Sequence, residues 1–142
     1  GEIAYAFMSN ETVAYKVFKK LGATHVLVFV THFVQYQAGG TPIMRLWTYG
    51  DEVKWIWMLR IANQEGYHFN ESEYITERGI PTEKFWYGTT IGQLIPYKPT
   101  TRAGGVTSDI YQPPSLKHFR LVYQSSPPYS SYAYVYIYEI ID

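Results

Sequence analysis

Apolar residues first recur at helical spacing. Val13, Val17 and Leu21 fall every four residues with Ala14 and Phe18 beside them, and Ser9-Asn10-Glu11-Thr12 upstream supplies the small polar residues that begin helices. Gly22 suits the stop. The period then vanishes. Val26-Leu27-Val28-Phe29-Val30 is an unbroken β-rich run, as expected of a strand buried on both faces. Helix, glycine and buried strand make an α/β unit. Residues 37–41, which include Gly39-Gly40, read as a mobile loop.

Helical spacing returns between Gly50 and Gly66. Asp51 is placed to cap the start and Gly66 to end the helix in a left-handed conformation. At 100° per residue, Trp55, Trp57, Met58, Leu59, Ile61 and Ala62 share one broad arc, and Glu52, Arg60, Asn63 and Gln64 share the other side. Lys54 falls inside the apolar arc. Asp51 lies one turn before it and Met58 one turn after, so the three form a column of acid, base and soft apolar group. A lysine in such an arc either snorkels to water or finds a partner. Spacing alone favours a capped core helix with a local ion pair; the sharper reading is a recognition face.

Residues 67–81 read as irregular and polar. Thr82 is placed to cap a helix over residues 83 to about 94, weakened by Gly88 and Gly92 but able to pack closely there. Residues 98–114 carry Pro, Gly, Thr and Ser and read as a long loop. Two alternating strands follow. In residues 118–123, Phe119, Leu121 and Tyr123 share a side; in residues 132–141, Ala133, Val135 and Ile137 oppose Tyr134, Tyr136 and Tyr138. Ser-Ser-Pro-Pro between them fits a hairpin link. The sum is an α/β (mixed α+β) fold: a small mixed sheet packed with about three helices and closed by an antiparallel hairpin. Residues 1–142 make a single domain, without internal repeats.

Composition narrows the chemistry. Net charge is zero, which argues against a nucleic-acid partner. Cysteine is lacking, which excludes disulfides, thiolate metal sites and a thiol nucleophile. His25, His32, His68 and His118 form no metal-ligand spacing, and neither a Gly-x-Ser-x-Gly elbow nor a phosphate loop occurs. Glu71, Glu73 and Glu83 are scattered rather than paired for glycoside hydrolysis. No stretch reaches the roughly 18–20 apolar residues of a membrane span, and Gly1 runs directly into Glu-Ile-Ala-Tyr-Ala-Phe without a basic signal region. The lack of an initiator Met is expected of a piece of a longer protein. Asn10-Glu11-Thr12 and Asn70-Glu71-Ser72 are N-glycosylation triplets, meaningful only in a glycosylating compartment. The Tyr ladder of the last strand supports two readings: sugar stacking, or packing beneath a helix.

Three segments together resemble the catalytic subunits of oligosaccharyltransferases. Phe7-Met8-Ser9-Asn10-Glu11-Thr12, Ala14-Tyr15-Lys16-Val17-Phe18-Lys19-Lys20-Leu21-Gly22 and Thr24-His25-Val26-Leu27-Val28 resemble that family's helix–strand unit following its catalytic motif. Gly50-Asp51-Glu52-Val53-Lys54-Trp55-Ile56-Trp57-Met58 looks like its second signature, Asp-x-x-Lys-x-x-x-Met, the DK motif. Phe119-Arg120-Leu121-Val122-Tyr123-Gln124-Ser125 and Val135-Tyr136-Ile137-Tyr138-Glu139-Ile140 are similar to its closing strands. The short length resembles compact archaeal members of AglB type. The family's Trp-Trp-Asp-Tyr-Gly motif is not in this chain; Trp47-Thr48-Tyr49-Gly50 abuts the DK motif and is not its equivalent.

The resemblance implies the distal part of the C-terminal soluble domain of a larger membrane protein, on the extracellular face of the cell membrane. It implies transfer of an oligosaccharide from a dolichol-type phosphate carrier to Asn in Asn-x-Ser/Thr, that is, protein N-glycosylation. Asp51, Lys54 and Met58 would line the acceptor-peptide pocket, with Met58 against the methyl of a Thr at the +2 position. No catalytic residue is expected in this fragment, which would be inactive alone. The catalytic acids, the divalent metal (Mn or Mg) and the lipid-linked oligosaccharide would belong to a transmembrane part. The partners are the acceptor polypeptide and that lipid donor, with the protein a monomer. Lys54 and Met58 should then face an open surface rather than a sealed core. Two other readings stand beside it: a stand-alone carbohydrate- or peptide-binding module using the aromatic face, and a structural domain of an envelope protein.

Overall fold

The computed structural model describes residues 1–36, 42–46, 51–77, 81–95, 97–102, 105–111, 116–125 and 133–142. Helices α1 (Glu2–Met8) and α2 (Glu11–Lys20) precede strands β1 (His25–Tyr36) and β2 (Pro42–Leu46). Helix α3 (Asp51–Gln64), a single 3-10 turn (Glu71–Glu73), and helices α4 (Glu83–Gly88) and α5 (Thr90–Leu94) follow. Strands β3 (Tyr97–Arg102), β4 (Gly105–Tyr111), β5 (Phe119–Gln124) and β6 (Ala133–Ile140) complete the chain. The strands lie in the order β3-β4-β2-β1-β6-β5. β1 joins the two halves: its first part pairs with β6, Val28 opposite Tyr136, and its second with β2, Val34 opposite Met44.

The fold is of the mixed α+β class, with helices packed on an antiparallel sheet. Every described pairing is antiparallel, so the parallel neighbours that a mixed sheet needs do not occur among the described strands. The closing hairpin pairs β5 with β6 as the alternation predicts. The expected loop over residues 98–114 is instead largely β3 and β4, paired with each other and with β2. Its Thr and Ser residues tolerate an extended backbone, and Pro99 sits in the outermost strand of the order, where a missing N–H costs least. The loop expected at residues 37–41 and most of the Ser-Ser-Pro-Pro link lie outside the described residues.

The sheet buries one face. Val26, Val28, Tyr136, Tyr138, Ile140 and Phe119 enter the core. Leu27 stays 57% exposed, so β1 is not buried on both faces. Its uninterrupted apolar run resembles a doubly covered strand in composition, but the helices gather on one side only. Leu27 and Tyr123 both pair with Ile137, forming an outward row across three strands.

Helix ends follow their local chemistry. Asn10 accepts from the Val13 N–H at 3.0 Å and starts α2. Gly22, at φ 79°, closes it as expected. The Ala23 N–H then reaches the Phe18 carbonyl and the Gly22 N–H that of Lys19, the paired bonds of a Schellman end. Gly66, at φ 99°, does the same for α3 through Tyr67 to Ala62. The helix expected over residues 83–94 is two. Thr89 is extended between α4 and α5, its hydroxyl donating to the Phe85 carbonyl and accepting from the Gly92 N–H. A Cβ on Gly92 would lie 2.1 Å from the Phe85 oxygen, so the glycine permits the close approach.

Residues 67–77 are irregular yet not simply polar. Tyr67 stacks on Tyr5 at 4.0 Å between centroids, and Tyr74 is buried. The clasp formed by Asn63, which donates to the Phe69 carbonyl and accepts from its N–H, ties this segment to α3.

Candidate functional site

Helix α3 carries the candidate residues. Its buried stripe is Trp55, Leu59 and Ala62, at the i, i+4, i+7 spacing of one helical face. Trp55 meets Phe85 of α4 at 4.4 Å. Ile56 and Met58 flank this stripe, partly buried against the core. Trp57 and Ile61, expected within the apolar arc, are 60% and 44% exposed. The arc drawn from sequence is therefore too wide. The core takes only its Trp55 side, and the Arg60 guanidinium lies 5.5 Å from the centre of the outward Trp57 ring, covering part of it.

Asp51 is the first residue of α3, one position inside the cap it was expected to occupy. A carboxylate there still favours the positive end of the helix dipole. Lys54 follows in the same turn. The side chains of both lie outside the described residues. Met58 is half-buried on the flank of the packed stripe. Continuing by helical register, the row through Lys54 and Met58 reaches exposed Ile61. The described part of the row, Met58 and Ile61, thus runs along the rim of the core.

Beside the outer half of α3 is an open cleft of about 380 Å³ lined by Leu59, Arg60, Asn63, Gln64 and Glu71. Two of these lining residues are bonded to each other: Arg60 Nε donates to Glu71 at 2.9 Å. Sequence reasoning did not find this cleft. Glu71 is brought to Arg60 by the intervening turn, and no local period links the two positions. The lining mixes apolar surface, Leu59 included, with one guanidinium, one carboxylate and two amides, of which the Asn63 amide is already engaged by Phe69.

The tyrosine ladder is structural where described. Tyr136 and Tyr138 are fully buried, and the Tyr138 hydroxyl donates to the Leu94 carbonyl at 2.7 Å. A further aromatic stack joins α2 to the residue before β5: Tyr15 lies flat on His118 at 4.0 Å, while Glu11 accepts the His118 backbone N–H. Titration shifts are spread over the surface: hydrogen bonds to Glu2 and Glu73 raise Lys20 and Lys84, and others lie at or near the Tyr15 stack. A hydrogen bond from Tyr15 and then the Lys19 charge hold the Asp142 carboxyl below its ordinary value, and the bond to Asp142 raises Tyr15. Arg120 lowers Glu139 in the same way.

Among the described residues, no group of three or more His, Asp or Glu side chains comes together to hold a metal ion. No described helix is long and apolar enough to cross a membrane. No family model matches the chain.

Proposed function

We propose that this chain is the acceptor-sequon recognition part of an oligosaccharyltransferase, a glycosyltransferase that moves a glycan from a dolichol-type phosphate carrier to Asn in Asn-x-Ser/Thr. The observation that supports the reading is the course of one helical row. It starts at Asp51 and Lys54, passes half-buried Met58 and ends at exposed Ile61. A group on the rim is held by packing on one side and open on the other. Recognition of a small methyl group needs that arrangement, with a polarizable thioether as the wall.

In this reading Met58 touches the methyl of a +2 Thr, worth on the order of 1 kcal/mol for one buried CH₃. Asp51 and Lys54 shape the pocket from the preceding turn. The hydroxyl of the +2 residue is bound by a Trp-Trp-Asp segment, which this chain does not contain. The domain is a fragment of a larger membrane protein and lies on the extracellular face of the membrane. It carries no catalytic residue; the acids, the Mn or Mg ion and the lipid-linked donor belong to a transmembrane part. A carbohydrate-binding module that stacks sugars on the last strand has less support, because Tyr136 and Tyr138 are fully buried.

The test is acceptor transfer by the membrane-embedded protein that carries this domain. Asp51→Ala and Lys54→Ala should each reduce transfer to Asn-x-Thr peptides by on the order of tenfold or more, as expected when a charged hydrogen-bonding group leaves a site. Parental rates from both variants, folded and inserted, reject the assignment.

A further inference from the structure

The two N-glycosylation triplets are treated differently by the fold. Asn10 is the cap of α2, its amide oxygen committed to the Val13 N–H. Ser9, immediately before it, gives its carbonyl to both the N–H and the hydroxyl of Thr90, at 2.8 and 2.9 Å. Glu11 within the triplet holds the backbone of His118. Drawing residues 10–12 out into an extended conformation would unwind the first turn of α2 and strain its ties to His118 and α5.

Asn70 stands elsewhere. It begins the single 3-10 turn, which contains no buried residue, and both Asn70 and Ser72 are exposed. The Asn70 amide oxygen accepts from the Ser72 N–H at 3.3 Å and from its hydroxyl at 2.8 Å. Its Nδ2 has no partner among the described residues. The Asn63–Phe69 clasp anchors the residue before the turn, and the turn itself is held by the exposed Arg60–Glu71 and Lys84–Glu73 pairs and by the exposed Thr82 hydroxyl on the Glu73 carbonyl. Exposed bonds of this kind open locally at little cost compared with unfolding a packed helix. The 380 Å³ cleft beside Glu71 leaves space next to the turn.

We propose that Asn70 is an N-glycan acceptor of this chain and that Asn10 is not. Asn70 Nδ2 forms a bond to the anomeric carbon of a glycan carried on a lipid phosphate. The anomeric C–O bond to that phosphate breaks, and the lipid phosphate leaves with the electron pair. Nδ2 gives its proton to a carboxylate of the oligosaccharyltransferase that performs the transfer. In cells, the modification rests on the extracellular placement put forward above.

The test separates the two. The folded 142-residue chain is incubated with an independent, active oligosaccharyltransferase and its lipid-linked donor, alongside a free Asn-x-Thr peptide, and occupancy is read site by site by peptide mass spectrometry. Because another enzyme does the transfer, the outcome does not depend on what this chain itself recognises. Occupancy at Asn70 should exceed that at Asn10 by on the order of tenfold, reflecting the cost of opening a packed helix end. Ser72→Ala should abolish the Asn70 product and Ser72→Thr should keep it. After denaturation, both sites should be modified. A folded chain unmodified at Asn70 while the free peptide is glycosylated overturns the proposal, as does equal occupancy at Asn10.

Discussion

Trp55 and Phe85 meet with ring centroids 4.4 Å apart, tilted by 41°, and this contact sets which way α3 faces. Both rings are buried, and Trp86 packs edge-on against Phe85. Rotating α3 by one residue would put Lys54 or Ile56, neither of them aromatic, at the place Trp55 occupies.

Two tryptophans on the same helix therefore have opposite consequences. Trp55→Ala should cost about 3–5 kcal/mol, the usual loss for emptying a buried aromatic site. Trp57→Ala removes a mostly exposed ring and its contact with Arg60, and should cost about 1 kcal/mol or less. Denaturant unfolding of the two variants measures the difference; similar losses would mean that α3 faces otherwise.

The break between α4 and α5 depends on Thr89 and Gly92. Gly92→Ala places a methyl against the Phe85 carbonyl, and should destabilise by about 1–3 kcal/mol through overpacking. Thr89→Ala loses the hydroxyl that bridges Phe85 and Gly92, leaving the buried Gly92 N–H without that acceptor, for about 1–2 kcal/mol. Thermal melts should show both shifts, and Thr89→Ser should recover most of the loss.

Surface ion pairs at the C-terminal edge give a pH signature. The Arg120 hydrogen bond, then its charge, with a smaller contribution from His25, hold Glu139 below the ordinary carboxylate value. A lowered folded value means the contribution is complete above the unfolded Glu value of about 4.3. It is lost as pH falls through the lowered one. Tyr15 has the opposite sign: its hydroxyl, bonded to Asp142, is raised, so that contribution is complete below about 10 and is lost as pH rises through the raised value. Carboxyl resonances followed by NMR should show the Glu139 midpoint rising in Arg120→Ala; an unchanged midpoint would assign the shift elsewhere.

How much of this was legible in the sequence differs by element. Asn10, Gly22, Gly66 and Thr82 mark helix ends through local bonds, so they could be read residue by residue. Alternation revealed the β5–β6 hairpin, and placed Tyr136 and Tyr138 on one face. Strands β3 and β4 stayed hidden because Pro, Gly, Thr and Ser describe a loop equally well until pairing partners supply the missing hydrogen bonds. Helix α1 has no side-chain cap at its start, and its small buried face, Ala4, Ala6 and Met8, offers little periodic signal. For the candidate site, spacing brought out Asp51, Lys54 and Met58 as a row. It could not show that the packed stripe lies on the Trp55 side, because Trp57 and Ile61 are as apolar as the residues the core accepts.

The central claim is that Met58, on the rim of α3, reads the methyl group of an acceptor threonine. The most direct measurement is the ratio of transfer to Asn-x-Thr over Asn-x-Ser peptides by the membrane-embedded protein that carries this domain, in its parental form and with Met58→Ala. A ratio is independent of the amount of folded enzyme, so a loss of stability from truncating a half-buried Met does not enter it. The account predicts that the preference for Thr narrows by about fivefold, the equivalent of one methyl contact of on the order of 1 kcal/mol. A variant that still transfers glycan with the parental ratio would contradict it.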